Sequence, residues 1–122
     1  MRRSFALVLL FGIGCGSATN PDSVAAREYV RSLYSNVETE VDVVGEPEYA
    51  SIPKIPVRGI GIAPADRPAA CGVRVKFLYR DGGRTTHDDF VIWVTSDHKA
   101  ISWSSNADGD NWRQYVRSFA KK

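Results

Sequence analysis

Residues 72–105 read GVRVKFLYRDGGRTTHDDFVIWVTSDHKAISWSS, and the expected architecture follows from this stretch. From Val73 onward apolar and polar residues alternate, which is the pattern of a half-buried β-strand. Gly82-Gly83 has the composition of a two-residue hairpin turn, and Asp97-His98 is interpreted as a second one. The stretch therefore predicts an antiparallel meander of three strands.

The two turns also set the register of the predicted strands. Val75 should face Phe90, and Val94 should face Ile101. One face of the meander is then almost entirely apolar and is predicted to be the core: Val73, Val75, Phe77, Tyr79, Phe90, Ile92, Val94, Ile101 and Trp103.

Helical patterns flank the meander on both sides. Asn20-Pro21 has the residue types of a helix start, and apolar residues recur at helical spacing over 24–36. Residues 112–119 carry apolar side chains at positions i, i+3, i+4 and i+7, after a polar turn over 106–111. We expect the core face to pack on both helices.

Between the first helix and the meander, residues 38–44 alternate and predict a strand with Glu38, Glu40 and Asp42 on its outer face. Residues 45–70 contain five prolines and are predicted to be irregular, with a short edge strand over 56–62.

The fold class is therefore α+β, in one domain over residues 21–122. An N-terminal helix precedes an antiparallel sheet, formed by one N-terminal strand and the meander, and a short C-terminal helix packs on the sheet. This element order resembles the cystatin-like and NTF2-like folds.

The N-terminus has the features of a secretion signal. Arg2 and Arg3 precede an apolar run over residues 5–13, and small residues follow. The run is much shorter than the roughly 20 residues that span a bilayer as a helix.

Gly12-Ile13-Gly14-Cys15 resembles the lipobox of bacterial lipoproteins. The resemblance implies that the signal peptide, residues 1–14, is cut off and that the Cys15 sulfur is diacylated. Residues 15–20 are then a tether. In that family Gly16 after the cysteine implies the periplasmic face of the outer membrane. Cleavage after Ala18 is the alternative and would give a soluble periplasmic or secreted protein.

The charge of the mature chain argues against one class of partner. The whole chain has 16 Lys and Arg against 14 Asp and Glu, but Arg2 and Arg3 belong to the leader. A balanced mature chain has no long-range attraction for nucleic acid, so we expect none as a partner. The expected partners are the membrane, through the lipid, and another envelope protein.

Once Cys15 carries lipid, Cys71 has no partner for a disulfide. It lies between a short alanine run and a predicted strand. We expect a buried thiol that packs as a small apolar side chain.

Residues 85–98 include the densest group of metal-ligand types. His87 and Asp89 share one strand face, but His98 should lie roughly 25–30 Å further along the strand and cannot join them. Asp89 is expected to pair with Lys76 across the strands. No metal site, cofactor or catalytic set is predicted.

Two weaker motifs have simpler interpretations. His87 with Asp88 or Asp89 could form half of an acid–base pair, but it would still need a nucleophile and a pocket. The segment 108–111 has the D-x-D spacing of a calcium loop without its later acidic ligand. Helix capping by Asn111 accounts for it.

The face opposite the predicted core carries a candidate partner-binding patch. It consists of Trp93, Val91, Leu78, Arg74 and Lys76, a composition typical of interface cores. The alternative is that the N-terminal strand or the proline-rich segment covers this face.

The sequence thus favours a cell-envelope lipoprotein that acts as a non-enzymatic binding, accessory or inhibitor module. The alternative is a small-ligand carrier or an enzyme with a cavity between sheet and helix. Such a cavity would be lined by Tyr79, Trp103 and Tyr115.

Overall fold

A computed structural model describes residues 20–55 and 68–120 of the chain. Its elements in chain order are helix α1 (Pro21–Leu33), strands β1 (Glu38–Val43), β2 (Glu48–Ile52), β3 (Ala69–Asp81), β4 (Arg84–Val94) and β5 (Ala100–Ser105), a 3-10 turn (Gly109–Asn111) and helix α2 (Trp112–Arg117). The five strands form one antiparallel sheet with a helix at each end of the described chain. The predicted α+β class is confirmed.

Helix α1 begins as the sequence predicts. The Asn20 side chain accepts hydrogen bonds from the backbone N–H groups of Asp22 (2.8 Å) and Ser23 (3.3 Å), and Pro21 occupies the first turn. These contacts satisfy N–H groups that have no partner inside the helix. Ala26 and Val30 are fully buried and direct the helix onto the sheet.

The β3–β4 hairpin has the predicted register, with Val75 opposite Phe90 and Val73 opposite Ile92. Gly82 and Gly83 have φ angles of 59° and 83°, which the tight turn requires and which glycine adopts without strain.

The register at the end of the β4–β5 hairpin was predicted wrongly. Ile92 does face Trp103, but Val94 faces Ala100 instead of Ile101. The connection is longer than the predicted two-residue turn: the Thr95 N–H binds the Lys99 carbonyl, and His98 has a φ of 65°. A left-handed residue at this place is typical of a three-residue hairpin loop with a bulge. The extra residue moves Ile101 to the other face.

Strands β1 and β2 follow one another along the same edge of β3. Val43 lies opposite Val75, and Glu48 lies opposite Gly72. Glu38, Glu40 and Asp42 are exposed, as predicted. The prediction that residues 45–70 are irregular is wrong for β2, which lies between Pro47 and Pro53 and contains no proline. The predicted edge strand over 56–62 lies outside the described residues.

The sheet separates two cores. The α1 core contains the predicted core face, with Ile101 excepted, and extends it with Ala26, Val30 and Cys71. The α2 core lies on the opposite face and contains Ile52, Ile55, Ala69, Val91, Trp93, Trp112, Tyr115 and Val116. The expectation that one face packs on both helices is therefore wrong. The chain forms three layers, helix on sheet on helix.

Candidate functional site

The structure buries the centre of the predicted partner-binding patch. Trp93 and Val91 are fully buried, against Trp112, Tyr115 and Val116 of α2. The indole N–H of Trp93 donates a 2.8 Å hydrogen bond to the Ser104 hydroxyl. The prediction of an accessible Trp93 patch is therefore wrong. Helix α2 covers Trp93, and Ile52 and Ile55 of the proline-rich segment pack in the same core, so the alternative that this segment covers the face is partly confirmed.

Gly72 allows α2 to approach the sheet so closely. A Cβ atom at this position would lie 2.7 Å from Cγ2 of Val116 and 3.0 Å from Cγ1 of Val91. Glu48 of β2 then holds the helix from the side, with 3.0 Å ion pairs to both Arg113 and Arg117. Helix α2 is thus fixed by packing and by charge.

Arg74, a second member of the patch, is also withdrawn from solvent. Its guanidinium donates to both carboxylate oxygens of Asp89 at 2.8–3.3 Å and to Asp110 at 3.0 Å. The hydrogen bonds that Arg74 donates to Asp89 raise the pKa of Arg74, despite the opposing effect of burial. Asp89 also accepts a 3.1 Å hydrogen bond from the Asn106 amide.

These contacts correct two predictions. Lys76 lies opposite Asp89 in the register, but the carboxylate pairs with Arg74. The Asn111 side chain makes no capping hydrogen bond. Asp110 interacts with Arg74 instead, so part of the segment 108–111 belongs to this polar network.

Helix α2 leaves the rest of its sheet face accessible. Lys76 and Leu78, the remaining patch residues, lie in the floor of a groove of about 360 Å³ that also involves Glu40, Asp42 and His87. Lys76 and His87 are exposed, and Leu78 is partly exposed. We call these five residues the sheet groove. Its two carboxylates lie on β1, and its basic side chains lie on β3 and β4.

The described contacts do not form the acid–base pair considered for His87. Asp89 is engaged by Arg74 and Asn106. Asp88 lies opposite Phe77, whose side chain belongs to the α1 core, and burial raises the pKa of Asp88. Among residues 20–55 and 68–120, no group of three or more His, Cys, Asp or Glu side chains could hold a metal ion.

A contact that the sequence did not indicate joins α1 to the β4–β5 turn. The buried carboxylate of Asp22 lies 2.8 Å from Nδ1 of His98 and accepts a 2.8 Å hydrogen bond from the Tyr49 hydroxyl. Asn20 donates to the same hydroxyl at 3.3 Å. Asp22 and His98 are 76 residues apart in the chain, so no local pattern could reveal the pair.

An Asp–His pair can activate a nucleophile when one lies within hydrogen-bond reach. Cys71 interacts electrostatically with Asp22, but its side chain is fully buried, and burial raises its pKa to about 12. It is a neutral thiol at physiological pH and not an activated nucleophile. The Asp22–His98 contact joins the start of α1 to the β4–β5 turn, and the predicted burial of the Cys71 thiol is confirmed.

The three aromatic residues proposed for an internal cavity do not come together. Tyr79 and Trp103 pack on the α1 core, whereas Tyr115 belongs to the α2 core. The sheet lies between them. Cys15, the predicted lipidation site, lies outside the described residues.

None of the described helices is long and apolar enough to cross a membrane. Comparison with known proteins finds no family model, no curated protein and no solved structure that matches this chain.

Proposed function

We propose that this protein is a cell-envelope lipoprotein, anchored through Cys15, that acts as a non-enzymatic binding module for another envelope protein. The observation that carries the binding role is the sheet groove, which α2 leaves uncovered on an otherwise packed face. The leader and Gly12-Ile13-Gly14-Cys15 support the proposed location in the cell envelope. Diacylation supplies the two buried chains that stable anchoring needs.

The position of the groove suits a protein held by a short tether. Five residues separate Cys15 from α1, so the six Cα–Cα steps from Cys15 to Pro21 span at most about 22 Å. The start of α1 therefore stays close to the membrane, together with Cys71 and His98, which lie at that end of the sheet. Leu78 lies seven residues along β3 from Cys71, about 23 Å away. The groove is thus directed away from the anchor, where a partner can reach it.

The composition of the groove indicates how a partner would be selected. Glu40 and Asp42 stand on one side, and Lys76 and His87 stand beside an apolar floor at Leu78. Adjacent charges of both signs favour one orientation of a charged segment and disfavour the reverse. The five residues form a small contact area, which fits a regulated, reversible partner.

Site-specific crosslinking in the envelope tests this proposal. A photoreactive amino acid replaces Leu78 in the full chain, and the captured protein is identified by mass spectrometry. We expect one discrete partner, with a yield that falls at least five-fold when Lys76→Glu is added. Lys54→Glu, an exposed lysine outside the groove, is the matched control and should leave the yield unchanged. Equal yields in all three chains would contradict the proposal.

A further inference from the structure

Strand β5 forms one edge of the sheet, and part of its backbone points outward. The strand order places β5 beside β4 alone within the described chain. The Asn106 N–H donates a 2.8 Å hydrogen bond to the Asp89 carbonyl. In an antiparallel pair only every second residue bonds to the neighbouring strand, so this bond shows which residues of β5 bond to β4. Ser102 and Ser104 belong to the same alternate set as Asn106, so the N–H and C=O groups of Trp103 and the N–H of Ser105 point away from the sheet. The Ser105 carbonyl accepts a 3.2 Å hydrogen bond from the Ala107 N–H.

The two edges of the sheet are built differently. The β1 edge carries Glu38, Glu40 and Asp42, and Gly45-Glu46-Pro47 interrupts it before β2. Charges, prolines and irregularities of this kind prevent edge strands from pairing with another chain. Residues 100–105 read AISWSS, with no charge and no proline. Of these two edges, both within the described residues, the β5 edge is the one chemically suited to accept another strand.

The side chains near β5 match a second copy of the same strand. In an antiparallel pair related by a two-fold axis at Trp103, each Trp103 lies opposite its own copy. Trp103 is partly exposed and stacks on Phe90 with ring centroids 4.2 Å apart. Its outer side would then be covered by the same residue of the second copy. Such cross-strand aromatic pairs stabilise sheets.

Charge complementarity supports the same register. The two-fold axis brings Lys99, just before β5 of one copy, towards the turn after β5 of the other copy, which contains Asp108. Both ends of the strand pair thus bring a cation next to a carboxylate, whereas a parallel pairing would bring like residues together. Lys99 is exposed, so its long side chain can reach across the strand pair.

We propose that the protein forms a homodimer through β5, in which two copies join their sheets into one continuous antiparallel sheet around Trp103. A pair of six-residue strands is a small interface, so the affinity in dilute solution should be modest. Confinement of both copies to one membrane would raise their effective concentration. The contribution of confinement to one membrane rests on the proposed function, whereas the pairing of the two β5 strands does not.

Disulfide trapping in intact cells tests the register. In the full chain, Trp103→Cys places two thiols opposite each other, with Cα atoms about 5.5 Å apart, within reach of a disulfide. Ser105→Cys is the matched control on the same strand face, because its two copies would lie about 13 Å apart. We expect an oxidised dimer for Trp103→Cys at least ten-fold above Ser105→Cys and above the parent chain, whose Cys71 is buried. Equal yields would overturn the proposal.

A charge exchange tests the dimer with Trp103 intact. Lys99→Glu should weaken dimerisation about five-fold, as expected for two symmetric surface ion pairs, and Asp108→Lys should do the same. The double variant should restore it. Light scattering on the purified full chain, in detergent if it is lipidated, measures the mass of each. A parent chain that stays monomeric at high micromolar concentration would overturn the dimer, whereas the Leu78 crosslinking result would be unaffected.

Discussion

At the scale of single residues, Arg74 organises the polar part of the α2 face. Its side chain is 9% exposed, and it connects Asp89 on β4 with Asp110 in the turn before α2. A cation this far from water requires its hydrogen-bonded partners, because an unpaired buried charge is costly. The polar network thus couples the sheet to the turn that leads into the covering helix.

Replacing Asp89 should destabilise the protein strongly. Asp89→Asn leaves the Arg74 charge without its two-point partner, and we expect a loss of about 3 kcal/mol in the free energy of unfolding. Asp110→Asn is the control, because this carboxylate is 99% exposed and water can replace it. Urea denaturation of both variants measures the difference. Equal stability of the two variants would contradict the role assigned to Asp89.

Single residues also show which features of the structure could be predicted from the sequence. The burial of Cys71 was predictable, since small apolar neighbours and a following strand surround it. The burial of Trp93 was left as an alternative, and its cover by α2 was not predicted, because nothing local to β4 indicates what packs on its second face. The Asp22–His98 pair was hidden for the same reason: the fold brings together residues that are distant in the chain.

At the scale of elements, the docking of α2 depends on the lack of a side chain at Gly72. The helix is only six residues long, so its own hydrogen bonds contribute little, and its position depends on packing. Cγ2 of Val116 lies 2.7 Å from the position that a Cβ atom of residue 72 would take. This close contact, together with Glu48, explains why α2 covers Trp93 and stops short of Leu78.

A double-mutant cycle tests this contact. Gly72→Ala forces a methyl group against Val116 and should cost about 1–3 kcal/mol of stability. Adding Val116→Ala removes the atom 2.7 Å away, so the double variant should lose less than the sum of the two single losses. Free energies of unfolding from denaturant titration give the coupling. Additive losses would show that the two residues do not meet.

Among the elements, those fixed by local chemistry were predictable. The β3–β4 hairpin depends on Gly82-Gly83 and on alternation, and its register is as predicted. The predicted register of the β4–β5 hairpin was wrong by one residue, because a histidine adopts the left-handed conformation that glycine usually provides. Strand β2 was missed, since the surrounding prolines masked a short stretch that finds its partner only in β3.

At the scale of the whole molecule, the three layers assign different roles to the two faces of the sheet. The α1 face is a core, and its helix begins at Pro21, directly after the segment proposed as the tether. The α2 face is half core and half sheet groove. Together with the β5 edge, which has no second neighbour in the described chain, this arrangement leaves two separate surfaces for the associations that we propose. Fold class and core face followed from the sequence, but the division of the second face depended on where a short helix docks.

The anchor at Cys15 is the claim on which the envelope role depends, and intact-mass spectrometry of the mature protein tests it most directly. We predict a chain that begins at Cys15 and carries the added mass of a diacylglycerol, with loss of that mass and of membrane association in Cys15→Ser. An unmodified chain that begins at Thr19, or one that retains Met1, would contradict the account.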